Sequence, residues 1–280
     1  MGRCGRVRQE GPGQRLRSAP GLPGRDRPEH QVGRTGGRMA HSRDLKRALR
    51  AILSEDGWAD GLAELDGIAA RRLTGPLFSL LLDPSEAVRW RAVAAFGRTV
   101  ARMAESKDPG EGLEAARVVL RQCLWRLNEE SGGVGWGVPE ALAETLSRHR
   151  RLALEFHRVL ASYVREPECG EGNCLDHVPL RRGVYWGLGR LAQAFPDLLE
   201  REVSTLRAGL AEDDGACRGL AAWALGILGA KGIPGAGDAG PELAQLVSDP
   251  AEVVLFVDGG LRRTTTGALA GEALKRLAGI

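Results

Sequence analysis

Two stretches of this 280-residue chain hold side chains whose types and spacing could do chemistry. The first is Cys169-x4-Cys174-x2-His177, with Glu168, Glu171 and Asp176 alongside. Thiolates and an imidazole suit zinc, and one flexible loop could fold three such ligands round a single ion. The spacing is not that of a standard finger and brings no evident fourth ligand. A redox disulfide, and an ordinary connection with incidental cysteines, therefore stand beside the metal reading. The second stretch is the glycine-rich connection over 128–140, which carries Glu129, Glu130, Gly132, Gly133, Gly135, Trp136 and Glu140. Its glycines permit close approach, and a tryptophan among carboxylates would make a recognition surface for a basic or aromatic partner group. The competing reading is a wide turn whose tryptophan packs inward.

No catalytic constellation accompanies either stretch. His149, His157 and His177 lie near many acids in sequence, but no serine elbow, phosphate loop, metalloprotease helix or paired-carboxylate signature comes with them. Arginines over 148–151 read as a solvated helix face.

The elements that would position these groups repeat. An arginine stands eight residues before a glycine inside a helical apolar pattern at Arg89 and Gly97, Arg181 and Gly189, Arg218 and Gly226, and Arg263 and Gly271. A fifth copy keeps the register with Ala143 at the glycine position, giving spacings of 46, 46, 37 and 45 residues. Such periods belong to two-helix solenoid units, each of which buries its apolar face only against its neighbours. Apolar periodicity predicts two capping helices over 44–53 and 58–68, then helix pairs 77–82 with 85–103, 113–127 with 139–148, 151–164 with 178–195, and 197–210 with 216–228. The last unit pairs 241–247 with 267–277. Between them, β-branched runs flank Asp258-Gly259-Gly260, which predicts a hairpin packed on the last helices and covering the open end of the stack.

The segment over 80–97, with Asp83 ahead of Val88-Arg89 and Ala95-Phe96-Gly97 at its end, resembles a HEAT repeat of the phycobilisome-lyase type. The segment over 213–226, with Arg218 and Ala222-Trp223-Ala224-Leu225-Gly226, is similar. The connection at Trp136 and the run from Val184 also resemble a little-characterised group of bacterial HEAT-repeat proteins. The resemblance covers residues 74–280 and implies an all-α, right-handed solenoid of about five HEAT-like repeats. It also implies an aspartate and arginine ladder of Asp83, Arg89, Asp176, Arg181, Asp213, Arg218, Asp258 and Arg263, each aspartate capping a helix and each arginine reaching a neighbouring repeat. Trp186 and Trp223 share one register and Trp90 and Trp136 another, which reads as packing between repeats.

Charge bears on partners. Formal net charge is +3, but residues 1–38 hold nine arginines against Glu10, Asp26 and Glu29 and so contribute +6. The other 30 basic and 33 acidic residues leave −3, which argues against nucleic acid. That same segment has nine glycines, four prolines and no aromatic residue, so it is expected to be a disordered extension, with Met39 as the natural start and 39–280 as one solenoid domain. No run is apolar and long enough to span a membrane. Five cysteines, an odd number, with Cys123 and Cys217 inside apolar patterns, point to a reducing, cytoplasmic setting. The expectation is a non-catalytic module without a cofactor, binding a protein partner on its concave face. The alternatives are handling of a tetrapyrrole, which the lyase resemblance implies, and a HEAT-like nucleic-acid glycosylase.

Overall fold

The computed structural model describes residues 35–106, 108–129, 135–165 and 173–279, with side chains from Ser42 onward and excepting Pro109. The helices are α1 (Thr35–Ser54), α2 (Trp58–Glu64), α3 (Ala70–Leu80), α4 (Glu86–Ala104), α5 (Pro109–Leu127), α6 (Val138–Arg148), α7 (Arg150–Ser162), α8 (Val178–Ala194), α9 (Val203–Ala208), α10 (Gly215–Ala230), α11 (Gly240–Leu246) and α12 (Thr266–Leu277). Strands β1 (Glu252–Val257) and β2 (Gly260–Thr265) stand between α11 and α12. None of the helices is long and apolar enough to cross a membrane, among the described residues. Helix α1 opens ahead of Met39, and the rest of the expected extension lies outside the described residues.

The molecule is an α-solenoid. Helices α4, α6, α8, α10 and α12 stack in that order into an inner row, and α3, α5, α7 and the short turns around α9 back it as an outer row. The reference positions all fall inside the inner row, and at Gly97 and Gly226 the missing side chain lets neighbouring backbones close up. A Cβ on Gly97 would stand 2.9 Å from the carbonyl carbon of Glu144, and one on Gly226 would stand 2.7 Å from the Cα of Ala273. At Gly189 the space is taken by the indole of Trp223. One apolar seam from Leu49 to Ala273 results. Cys123 and Cys217 are fully buried within it, and burial raises both thiols, Cys123 to about 12.

The charge ladder exists, with different rungs from those expected. Arg50 donates to Asp83 at 2.7 Å, Arg181 to Glu212, and Arg218 to Asp249 at 2.6 Å, each reaching forward to a carboxylate ahead of the next unit. Asp213 offers Arg218 its backbone carbonyl instead, as Asp83 and Pro84 do for Arg89. Helix capping falls to Ser85 and Asp214, while Asp176 is exposed ahead of α8. The reason is geometric: a cap must reach the third backbone N–H of its helix, and the expected aspartates stand one or two residues too early. Asp258 lies in the hairpin turn with φ 51° and Gly259 follows with φ 77°, the type I′ geometry that an Asp-Gly pair favours. Arg263 accordingly sits on β2 rather than on a helix, and pairs with Glu86 of α4 at 2.6 Å.

Helix α3 also departs from expectation, because it begins at Ala70 and runs through Pro76. Leu73 and Leu77 are both fully buried one turn apart, and that burial outweighs the backbone hydrogen bond Pro76 removes.

The hairpin packs on the last helices, as expected, but its contacts run to the inner helices rather than over the open end. It packs on α10, where Gly219 makes room for Val253, and then reaches back to the first units. Phe256 stacks on Trp90 of α4, with centroids 5.4 Å apart, and meets Trp58 of α2 at 6.4 Å. Trp186 of α8 donates its indole N–H to the Phe256 carbonyl at 3.0 Å and meets Trp90 edge-on at 4.9 Å. Helices α4 and α8 flank α6, so their tryptophans touch only because the row bends with this side innermost. The hairpin is a strap across the concave face.

The glycine register separates packing from propensity. Gly97→Ala is expected to lower stability by about 1–3 kcal/mol, because backbone must move. Gly271→Ala, with nothing within 4 Å of its added carbon, should raise it by about 0.5–1 kcal/mol. Chemical denaturation of the two variants checks this; equal effects would refute the close approach of α4 and α6.

Candidate functional site

Under the strap the inner helices leave a pocket of about 550 Å³. Its apolar wall comes from Leu81, Val93, Leu220 and Val254, and its aromatic wall from Trp90, Trp136 and Trp186. Glu86, Arg89, Glu140, Arg182 and Glu252 supply its charges. The pocket forms where it does because α4, α6, α8 and α10 all begin on this side, and a chain entering each helix cannot fill the space between their first turns.

Glu140 is the distinctive group. It lies in the first turn of α6, and its Oε2 is closed off from solvent with no hydrogen-bond partner among the described residues. Burial raises the carboxyl to about 7, against a smaller opposing pull from its own backbone N–H and from Arg89. Gly183 of α8 makes the placement possible, since a Cβ there would stand 2.6 Å from the Glu140 carboxyl carbon and 2.7 Å from Oε2. Gly137, immediately ahead of α6, has φ 73° and presses against Leu81, so the turn that delivers Glu140 requires a glycine. Two of the other charges are already matched. Glu86 takes Arg263, and Arg182 donates twice to Asp214, at 2.8 and 2.6 Å. That guanidinium, with the Cys217 N–H, holds Asp214 down at about 2 and therefore ionised.

Trp136 is 39 % exposed and touches His177 edge-on at 5.9 Å. It lies in the same pocket as Glu140, so the structure brings together two of the four residues the glycine-rich connection offered. Glu129 is half-buried just past α5 and stands apart from the pocket lining, and Glu130 lies outside the described residues. Of the cysteine and histidine cluster, Cys169 lies outside them, Cys174 is half-buried, and His177 is exposed at the entry to α8. No group of three potential ligands stands together among the described residues. His149 caps α7 through its ring nitrogen at 3.3 Å, and His157 is buried against the Ala153 carbonyl at 2.8 Å. Both therefore serve local structure.

Sequence reasoning assigned Trp90 and Trp186 to packing and overlooked Gly183 and the strap. The shared register of Trp90 and Trp136 was the available signal, since both stand seven residues before a reference position and so open inner helices on one side. A second hollow, of about 910 Å³, lies among Arg165, Arg181, Glu202 and Glu212. It is bridged by two ion pairs, Arg165 with Glu202 at 2.5 Å and Arg181 with Glu212, the latter carboxylate also accepting from the Tyr185 hydroxyl, while Arg181 Nε has no hydrogen-bond partner among the described residues.

No family model matches the chain, and no curated protein matches it. Among solved structures it is similar to an engineered protein, at 16% identity and a TM-score of 0.44, covering 84% of this chain and 97% of that one. It is also similar to a designed armadillo repeat protein, at 18% identity and 0.45, covering 88% and 96%. A designed armadillo repeat protein in complex with the peptide (KR)4 matches at 18% identity and 0.48, covering 88% and 95%. The solenoid architecture rests on the helix stacking itself rather than on these likenesses.

The Glu140 carboxyl ties stability to pH. Its value in the fold lies above the 4.5 of an ordinary glutamate, so the folded state binds the extra proton and loses stability as pH rises toward and past 7. Glu140→Gln is expected to stabilise the protein at pH 8 by up to roughly 3 kcal/mol, a gain that fades below about pH 5. Melting curves of both proteins across this range check it; a constant difference would contradict the buried carboxyl.

Proposed function

We propose that this chain is a non-catalytic protein-binding module, and that it grips its partner at the Trp136 and Glu140 pocket rather than along an open groove. The observation that carries the reading is that an accessible tryptophan, Trp136, and a half-buried carboxylic acid, Glu140, line one pocket. Binding energy concentrates where a few aromatic anchors meet a desolvated pocket, and a polar group in its wall fixes what enters. The strap supports this reading by filling the concave face that an extended peptide would otherwise occupy. With Glu86 and Arg182 already in ion pairs, Glu140 and Glu252 leave the lining one carboxylate in excess over Arg89, which disfavours the acid groups of a tetrapyrrole and the phosphates of a nucleic acid, so neither alternative gains support here.

Affinity capture from the native host with the full chain, compared with Trp136→Ala and with Trp125→Ala, tests the reading. Trp125 is 67 % exposed on α5, away from the pocket. Proteins held by the parent and by Trp125→Ala should fall more than tenfold with Trp136→Ala, while circular dichroism stays unchanged. Capture that ignores Trp136 would refute it.

A further inference from the structure

We infer that the pocket is built for a single lysine-type ammonium group from the partner chain, with Glu140 as its counter-ion. The inference rests on the pocket being the binding site and adds the chemistry of what enters it.

Three features point to an ammonium. Oε2 of Glu140 is closed off from solvent while the side chain as a whole is half-buried in the lining, so the carboxyl cannot present a two-oxygen edge to the pocket. A guanidinium fork is matched by two parallel acceptors, whereas an ammonium is a compact point donor. The walls that share the pocket with Glu140 are the indoles of Trp90, Trp136 and Trp186 with Leu81, Val93 and Val254, a lining that suits a four-carbon stem and attracts a cation to its ring faces. The charge balance agrees. Among the groups facing Glu140, Glu86 on α4 is matched by Arg263 and Arg182 on α8 by Asp214. Arg89 on α4 is engaged with two backbone carbonyls and is the cation that pulls on Glu140, while exposed Glu252 on β1 adds a further carboxylate. Counting Arg89, Arg182 and Arg263 against Glu86, Glu140, Asp214 and Glu252, ionised Glu140 leaves one negative charge in excess.

The inner helix ends oppose a cation, since helix N-termini carry partial positive charge. First-turn Glu86 and Glu140 offset that potential on α4 and α6. An arriving ammonium lets Glu140 give up its proton to solvent, so binding and deprotonation are linked, and the α6 terminus favours the resulting anion. The empty pocket keeps Glu140 largely neutral at mildly acid pH through burial.

The test is a fluorescence titration of the full chain with acetyl-Gly-Lys-Gly-amide and its norleucine, arginine and glutamate counterparts at pH 6 and pH 8. Lysine is charged at both, so its affinity should rise about tenfold as Glu140 ionises. The norleucine peptide should show no such rise, and the arginine peptide should bind more weakly than lysine. Glu140→Gln should abolish the rise. His177 lies against Trp136, so the rise must also survive His177→Gln. Gly183→Ala supplies a variant that keeps every charge: its added carbon displaces the carboxylate, a flexible side-chain end, and should weaken lysine binding at least fivefold without loss of melting temperature. Norleucine, arginine or glutamate binding as tightly as lysine would overturn the assignment, and so would lysine binding indifferent to Glu140→Gln or absent altogether. If Trp136-dependent capture persists in those cases, the pocket remains the site and only the ammonium falls; if capture ignores Trp136, the site itself falls.

Discussion

Trp90 is clamped between Phe256, stacked on its face at 5.4 Å, and Trp186, edge-on at 4.9 Å. These three rings come from the first, last and middle parts of the solenoid, and no neighbouring-repeat contact could bring them together. Repeat proteins are ordinarily held by local interfaces, so that each unit feels only the next. Here one aromatic cluster, with the Trp186 hydrogen bond to the Phe256 carbonyl and the Arg263 pair with Glu86, ties the array into a closed body. The curvature of the inner row, the covering of the concave face and the shape of the pocket all follow from that closure.

The closure also changes what the fold can do. An open solenoid offers a long trough to an extended partner, whereas this one offers a limited opening with aromatic sides and one enclosed acid. Two glycines with different duties shape that opening. Gly137 supplies a left-handed turn that starts α6 in the right place, and Gly183 supplies empty volume for the carboxyl of Glu140. The site is therefore a product of backbone positions in two separate repeats, while its chemistry is carried by side chains of ordinary kinds.

Much of the architecture was legible because helical periodicity and the glycine register are local signals. Gly97, Gly189, Gly226 and Gly271 mark the inner row, and Asp258-Gly259 marks the hairpin turn. The caps of the inner helices were misassigned by one or two residues, since Asp213 and Asp214 lie side by side and are identical in type, and only the helix start decides which one caps. Pro76 was taken for a helix start because its missing N–H is a local fact, while the burial of Leu73 and Leu77 that overrides it is a tertiary one. Trp136 and Glu140 were both visible as candidates. Their meeting with Trp90, Trp186 and Val254 was not, because it depends on contacts across most of the chain, which no pattern of spacing encodes.

A double-mutant cycle on Trp90→Leu and Phe256→Leu probes the closure most directly, since these residues belong to opposite ends of the array and couple only if the strap is seated. Stacked aromatic pairs couple by about 0.5–1.5 kcal/mol beyond their separate burial. A coupling energy in that range, measured by equilibrium denaturation, is the predicted result. Additive losses, with a coupling of zero, would mean that the hairpin does not lie against α4 and would contradict the account.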